Sequence, residues 1–225
     1  MQILVANVGS SSYKCRLFDM PSERDLAGAE VERVGSPDAL VSYRRSGALL
    51  LDRRVEPVPD HRHAVQRVLG LLTDAGTGVL ESVERLDGVG FKAVQAGPRN
   101  GSVLLDADVI AAMKEFAPLF PAHNPPYLAC IRYFLDIAPR IPLVGVFEPG
   151  FHTEIPEEAR IFGLPYEWYR DFHVRKYGFH GATFRYVTGE VVRRLCLDPA
   201  RARIVACHLG GSSSICAFGG GKSID

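Results

Sequence analysis

Two stretches of this chain place glycine, serine and lysine where a hydrophobic run stops. Asn7–Asp19 reads NVGSSSYKCRLFD, and His208–Ser214 reads HLGGSSS with Lys222 soon after. Backbone N–H groups of such a turn can point inward as an anion nest. Serine hydroxyls add donors and a lysine adds a point charge. Taken by itself, the opening stretch reads equally as a polar hairpin with an exposed lysine. Two strand–Gly/Ser turn–strand units in one chain point to two halves gripping one phosphate chain. Neither is a Walker GxxxxGK[ST] loop or a GxGxxG dinucleotide unit. Between them lies Tyr177–Gly181, YGFHG. Gly178 and Gly181 let backbone approach a ligand closely, and His180 could donate to a transferring phosphoryl group. The plainer reading of His180 is a half-buried loop histidine. His123-Asn124 and His152 stand at element ends, while His61 and His63 read as solvated helix residues.

Composition narrows the partners. Lys+Arg and Asp+Glu both number 26, so formal net charge is zero. That argues against nucleic acid or a membrane surface as a broad electrostatic partner, and makes any anion site local. The five cysteines are scattered without CxxC spacing, which fits a reduced, cytoplasmic setting better than disulfides or zinc. No apolar run is long enough to suggest a spanning helix, and the first residues lack the basic and apolar regions of a signal peptide. With 225 residues, 47% of them hydrophobic, a substantial core is available.

The elements that must carry these residues begin with a meander. Gln2–Val8 and Tyr13–Phe18 read as paired strands around a Gly9–Ser12 turn, followed by strands near Glu30–Val34, Leu40–Tyr43 and Ala48–Val55. Asp60 caps a helix to about Thr73, with Ala64, Val65, Val68, Leu69 and Leu72 on one face. Val89–Val94 is a strand and Ala107–Phe116 a helix. Asn124 is an N-cap with Pro125 at the first helical position. Pro142–Phe147 is a strand and Phe184–Leu195 a helix. Ile204–His208 and Ser213–Phe218 form a strand pair. The sum is mixed α/β with a largely antiparallel first part. The closing FGGGKSID breaks off after a turn, as in one piece of a larger whole.

Taken in order, NxGSSSxK, HNP before a helix, VF-acid-xxFH, YGFHG, and HLG with a small-residue turn and GKS resemble the acetate kinase family. That family belongs to the group of sugar kinases, heat-shock ATPases and actin. The resemblance runs from Met1 to Asp225, where longer family members continue. It implies an α/β, two-domain ribonuclease H-like (actin-like ATPase) fold. Residues 1–152 would form a nearly complete first domain and 153–225 the start of a truncated, nucleotide-binding second domain. A hinge near Pro149-Gly150 would let a cleft between them close, with Lys92 and Glu148 on the first side and His180 and His208 on the second.

The resemblance also implies roles. Asn7 serves a Mg2+ site. Ser10, Ser12 and Lys14 surround the phosphates of ATP, the co-substrate, as do His208, Leu209, Gly210, Gly211 and Ser212 in the second turn. His180 stabilises the transferring phosphoryl, with Glu148 as the catalytic acid residue. Lys92, Ala93, Ala122 and His123 bind a small carboxylic acid, which becomes an acyl phosphate. A homodimer through the second domain is the family's habit.

The chain departs from the family at several of these positions. The family's GHRVVHGG is GFKAVQAG here, so its carboxylate-clamping arginine is Lys92, which loses the bidentate fork. Aspartate is replaced by Glu148, Gly211 stands for an amide side chain, and Ala93 and Ala122 stand for a valine and a leucine. A wider pocket for an acid larger than acetate is one reading; drift in a decaying site is the other. The second function class is a non-catalytic relative that binds nucleotide or a partner. The 225 residues by themselves are expected to turn over little substrate.

Overall fold

The computed structural model of the chain describes residues 1–210 and 212–225. It divides into two compact units, Met1–Val146 and Phe147–Asp225. The sequence reading places its domain boundary at His152, a few residues further on.

The first unit is built on an antiparallel meander: β1 (Gln2–Val8), β2 (Ser12–Asp19), β3 (Arg24–Glu32), β4 (Ser36–Arg45) and β5 (Ala48–Val58). Helix α1 (His61–Leu72) follows, then β6 (Gly88–Ala93), β7 (Gly101–Leu104), α2 (Ala107–Glu115), α3 (Asn124–Ile137) and β8 (Leu143–Phe147). The sheet order is β5-β4-β3-β2-β1-β6-β8-β7, with β1 parallel to β6. Side chains alternate across each strand. On β1, Leu4, Ala6 and Val8 enter the core while Val5 and Asn7 face outward; on β2, Tyr13, Cys15 and Leu17 go in while Lys14 and Arg16 go out. Helices α1 and α3 cover the inner face: α1 touches β2, β3 and α3, and α3 touches α2 and β6. Phe91 of β6 meets Tyr127 and Phe134 of α3 edge-on.

Several expectations are corrected here. The third strand starts at Arg24, not Glu30, because its inner face is mostly alanine, Ala27 and Ala29, and gives little hydrophobic contrast. The fourth begins at Ser36, so Gly35-Ser36-Pro37 runs into a strand instead of separating two. Strand β7 was not foreseen. Asn124 is no cap: His123 holds that position without a side-chain hydrogen bond. The Asn124 amide instead donates to the carbonyls of Gln95, at 3.0 Å, and Met113, at 2.8 Å. His61 is not a solvated helix residue but a buried one.

The second unit opens with a 3-10 turn, Glu148–Phe151. Helices α4 (Glu157–Arg160), α5 (Tyr166–Phe172) and α6 (Gly181–Arg194) follow, then β9 (Arg203–His208), β10 (Ser214–Gly219) and β11 (Lys222–Ser223). The three strands form an antiparallel sheet, β11-β10-β9. Phe184, Ala206 and Cys216 make its core, with Phe151 packed against them. Gly220 and Gly221 both take positive φ in the turn that brings β11 back onto β10. The short helices α4 and α5 were not foreseen. Among the described residues, no helix is long and apolar enough to cross a membrane.

Candidate active site

The opening turn has the form of an anion nest. The carbonyls of three of its residues are bound within the protein: Gly9 O faces His61 Nε2 at 2.8 Å, Ser11 O accepts from Val34 N at 2.9 Å, and Ser12 O accepts from Gly9 N at 2.8 Å. Ser10 and Ser11 are exposed, and among the described residues their N–H groups have no hydrogen-bond partner. Donors thus face outward while acceptors are tied down. Gly9 leaves room for Ser12, because a Cβ there would lie 2.5 Å from Ser12 Oγ and turn that side chain away.

Asn7 and Lys14 are directly paired across β1 and β2 on the outward face. Lys14 forms an ion pair with Glu30 of β3, its own cross-strand partner. Asn7 Oδ1 lies 3.4 Å from the Tyr127 hydroxyl, which also accepts from Val8 N at 3.1 Å. Lys92 and Ala93 are neighbours on β6, so their side chains take opposite faces. Lys92 is half-buried and Ala93 fully buried, whereas Ala122 and His123 are exposed ahead of α3. The two alanines occupy different environments, and the wider-pocket reading rests on the substitutions alone.

In the second unit, His180 sits at the start of α6 with φ 59°, a left-handed conformation uncommon for a residue with a side chain. Its ring lies flat on that of His208, centroids 3.8 Å apart, and its Nδ1 is 2.9 Å from Ser214 Oγ. His208 and Ser214 are cross-strand partners on β9 and β10, so one end of that hairpin holds one imidazole. Leu209, Gly210 and Ser212 are exposed beside it, and Gly211 lies outside the described residues.

Glu148 lies in the second compact unit, next to its first residue, Phe147. It is buried, in the 3-10 turn that packs on α6. The glycines of YGFHG serve that packing and not an open backbone: a Cβ on Gly181 would lie 2.1 Å from the Glu148 carbonyl oxygen, and one on Gly178 2.3 Å from the His152 ring. His152 is buried, with Nδ1 2.8 Å from Ser223 Oγ. Burial lowers its pKa below the usual imidazole value, against smaller opposing effects of the Phe179 backbone and the Glu148 carboxylate.

The first turn presents open N–H donors that suit an anion, and the second orients an imidazole. Residues 2–225 match the model of the acetokinase family. The chain belongs to the acetokinase family. Its relatives include the acetate kinase of Thermosipho melanesiensis, 40% identical over 226 residues, of which the match covers all of this chain and 55% of the relative. The Porphyromonas gingivalis acetate kinase structure superposes with a TM-score of 0.88 at 36% identity, over all of this chain and 56% of that one. A propionate kinase from Francisella tularensis superposes with a TM-score of 0.87 at 28% identity, again over 100% and 56%. The chain thus spans about half the length of the relatives it matches, and its fold is the corresponding part of theirs.

In the sequence His61 reads as a solvated helix residue, and Tyr127 and Ser214 carry no role of their own. Tyr127 follows Asn124 by three residues on one helical face, where an aromatic reads as core; only its polar tip distinguishes it.

Proposed function

We propose that this chain carries the phosphate-gripping and acid-binding part of an ATP-dependent carboxylate kinase. The observation that supports this best is the Gly9–Ser12 turn, with its carbonyls bound inside and the Ser10 and Ser11 amides open. In the reaction, a carboxylate oxygen attacks the γ-phosphorus of ATP. The bond from that phosphorus to the β,γ-bridging oxygen breaks, and ADP leaves with the electron pair. Nucleophile and leaving group are both anionic, so no proton need move, and the protein's work is positioning and charge neutralisation.

Residue roles follow on this reading. Ser10, Ser12 and Lys14 hold phosphate oxygens, as do His208, Leu209, Gly210 and Ser212. His180 donates to the transferring phosphoryl, with Ser214 and His208 fixing its ring. Lys92 and His123 face the acid, and Glu148, buried in the turn that packs on α6, is the catalytic carboxylate. Among the described residues no cluster of three His, Cys, Asp or Glu could hold a metal. A Mg2+ ion that keeps waters and phosphate oxygens needs little more than one or two hard oxygen ligands, and the outward Asn7 amide oxygen suits it. When bound, the ion would neutralise charge on the phosphates.

The preferred acid is larger than acetate on this reading, supported by Ala93 and Ala122 and by similarity to a protein described as a propionate kinase. A second reading, a binding-only relative, is favoured by Lys92 and Glu148 standing where the family has arginine and aspartate. ATP-dependent acyl hydroxamate formation over a panel of carboxylates, by this chain fused to the remaining part of a full-length relative, separates the two. Product with any acid supports the kinase; ATP binding without product from any acid supports the second reading.

A further inference from the structure

His61 is a polar residue, only 9% exposed, placed in the first turn of α1. Its Nε2 lies 2.8 Å from the carbonyl oxygen of Gly9, 52 residues earlier in the chain. A carbonyl oxygen only accepts, so Nε2 carries the proton. The carbonyl of Gly9 and the N–H of Ser10 belong to one planar trans peptide and point in opposite directions. Whatever holds the carbonyl inward therefore turns the Ser10 N–H outward. The opposite flank is held as well, because Tyr127 of α3 accepts from Val8 N.

From this we infer that His61 is a positioning residue for phosphate binding: by holding the Gly9 carbonyl it presents the Ser10 N–H to a phosphate oxygen. The inference rests on reading the turn as a phosphate site. It distinguishes His61 from a histidine that merely fills the core, because a filler of the same shape would serve as well. Without the bond, the Gly9–Ser10 peptide can rotate, and the nest loses a donor in the free protein before any ligand arrives.

The test uses the 225-residue chain in three forms. His61→Phe keeps a planar ring without a donor, and His61→Gln keeps an amide donor. Readouts are the imidazole nitrogen NMR pattern of His61, hydrogen exchange at Ser10, and the Ser10 amide shift during titration with MgATP. Expected are a protonated Nε2 in the wild type and faster Ser10 exchange in His61→Phe. That variant should bind MgATP about fivefold to tenfold more weakly, the size of one net hydrogen bond. His61→Gln should stay close to wild type, and thermal melts report whether each variant folds. A wild-type His61 protonated only at Nδ1, or His61→Phe with wild-type Ser10 exchange, overturns the inference. If MgATP moves no amide of the turn in the wild type, the phosphate reading falls instead, while tautomer and Ser10 exchange still decide the His61 contact.

Discussion

The imidazoles of His180 and His208 lie face to face, 3.8 Å apart and within 5° of parallel. With Ser214 holding Nδ1 of His180 at 2.9 Å, the ring is fixed by a stack and a hydrogen bond from the same hairpin. The two partners should then have unequal weights from His180 itself. Removing a donor aimed at a developing charge costs about 100-fold to 1,000-fold in kcat. Loss of one ring stack costs about tenfold or less. His180→Ala should fall in the first range and His208→Ala no lower than the second through stacking alone. The readout is phosphoryl transfer by this chain fused to the part of the Thermosipho melanesiensis acetate kinase that its match leaves uncovered. Equal losses would show that the phosphate-holding role proposed for His208 weighs as much as the His180 donor.

Gly181 tests the packing beneath that histidine. A methyl group there meets the Glu148 carbonyl oxygen at 2.1 Å, and backbone cannot give way as a side-chain tip can. Gly181→Ala should destabilise the second unit by about 1–3 kcal/mol, the usual cost of overpacking. Denaturant unfolding followed through Trp168 fluorescence would show it. An unchanged midpoint would mean that the turn and α6 do not pack as described.

Acid should weaken the second unit through His152. Its folded pKa is lowered by burial, so below the ordinary imidazole value of about 6.5 the unfolded chain binds a proton that the folded unit refuses. Stability is unaffected well above that pH and declines as pH falls through it. Glu148, nearby, opposes the shift without cancelling it. Melting temperature between pH 8 and pH 5 should drop more in the wild type than in His152→Asn. Equal slopes would assign the acid sensitivity elsewhere.

On the carboxylate-kinase reading, substrate preference should respond to Lys92, Ala93 and Ala122. Lys92→Arg restores a fork that binds a carboxylate through two parallel bonds, and should lower the acid's KM by about tenfold, one charged hydrogen bond. Restoring Val at Ala93 and Leu at Ala122 should move preference toward acetate. Each methylene of acid excluded costs it about 0.8 kcal/mol of burial. Steady-state kinetics with acetate, propionate and butyrate in the fusion would decide. Unchanged ratios would remove the alanines from the pocket.

What could be seen in the sequence follows from how local each signal is. Strand β1, helix α1 and the Gly-Ser turn declare themselves through periodicity and turn chemistry within a dozen residues. Strand β3 was displaced because Ala27 and Ala29 give weak contrast, and α4 and α5 are too short to show a period. The histidines at 180 and 208 stood out by their glycine neighbours. Their stacking could not, since 28 residues and a helix separate them. His61 and Tyr127 meet the turn from 52 and 119 residues away, and no local pattern marks a core-facing polar tip as the partner of a distant backbone group.

The most direct test of the whole account is acyl hydroxamate formation by the fusion protein with MgATP and a panel of short carboxylic acids. The parent Thermosipho melanesiensis acetate kinase serves as control. The account predicts ATP-dependent product, greater with propionate or butyrate than with acetate, and its loss in His180→Ala. A fusion that binds ATP yet forms no acyl phosphate with any acid would contradict it.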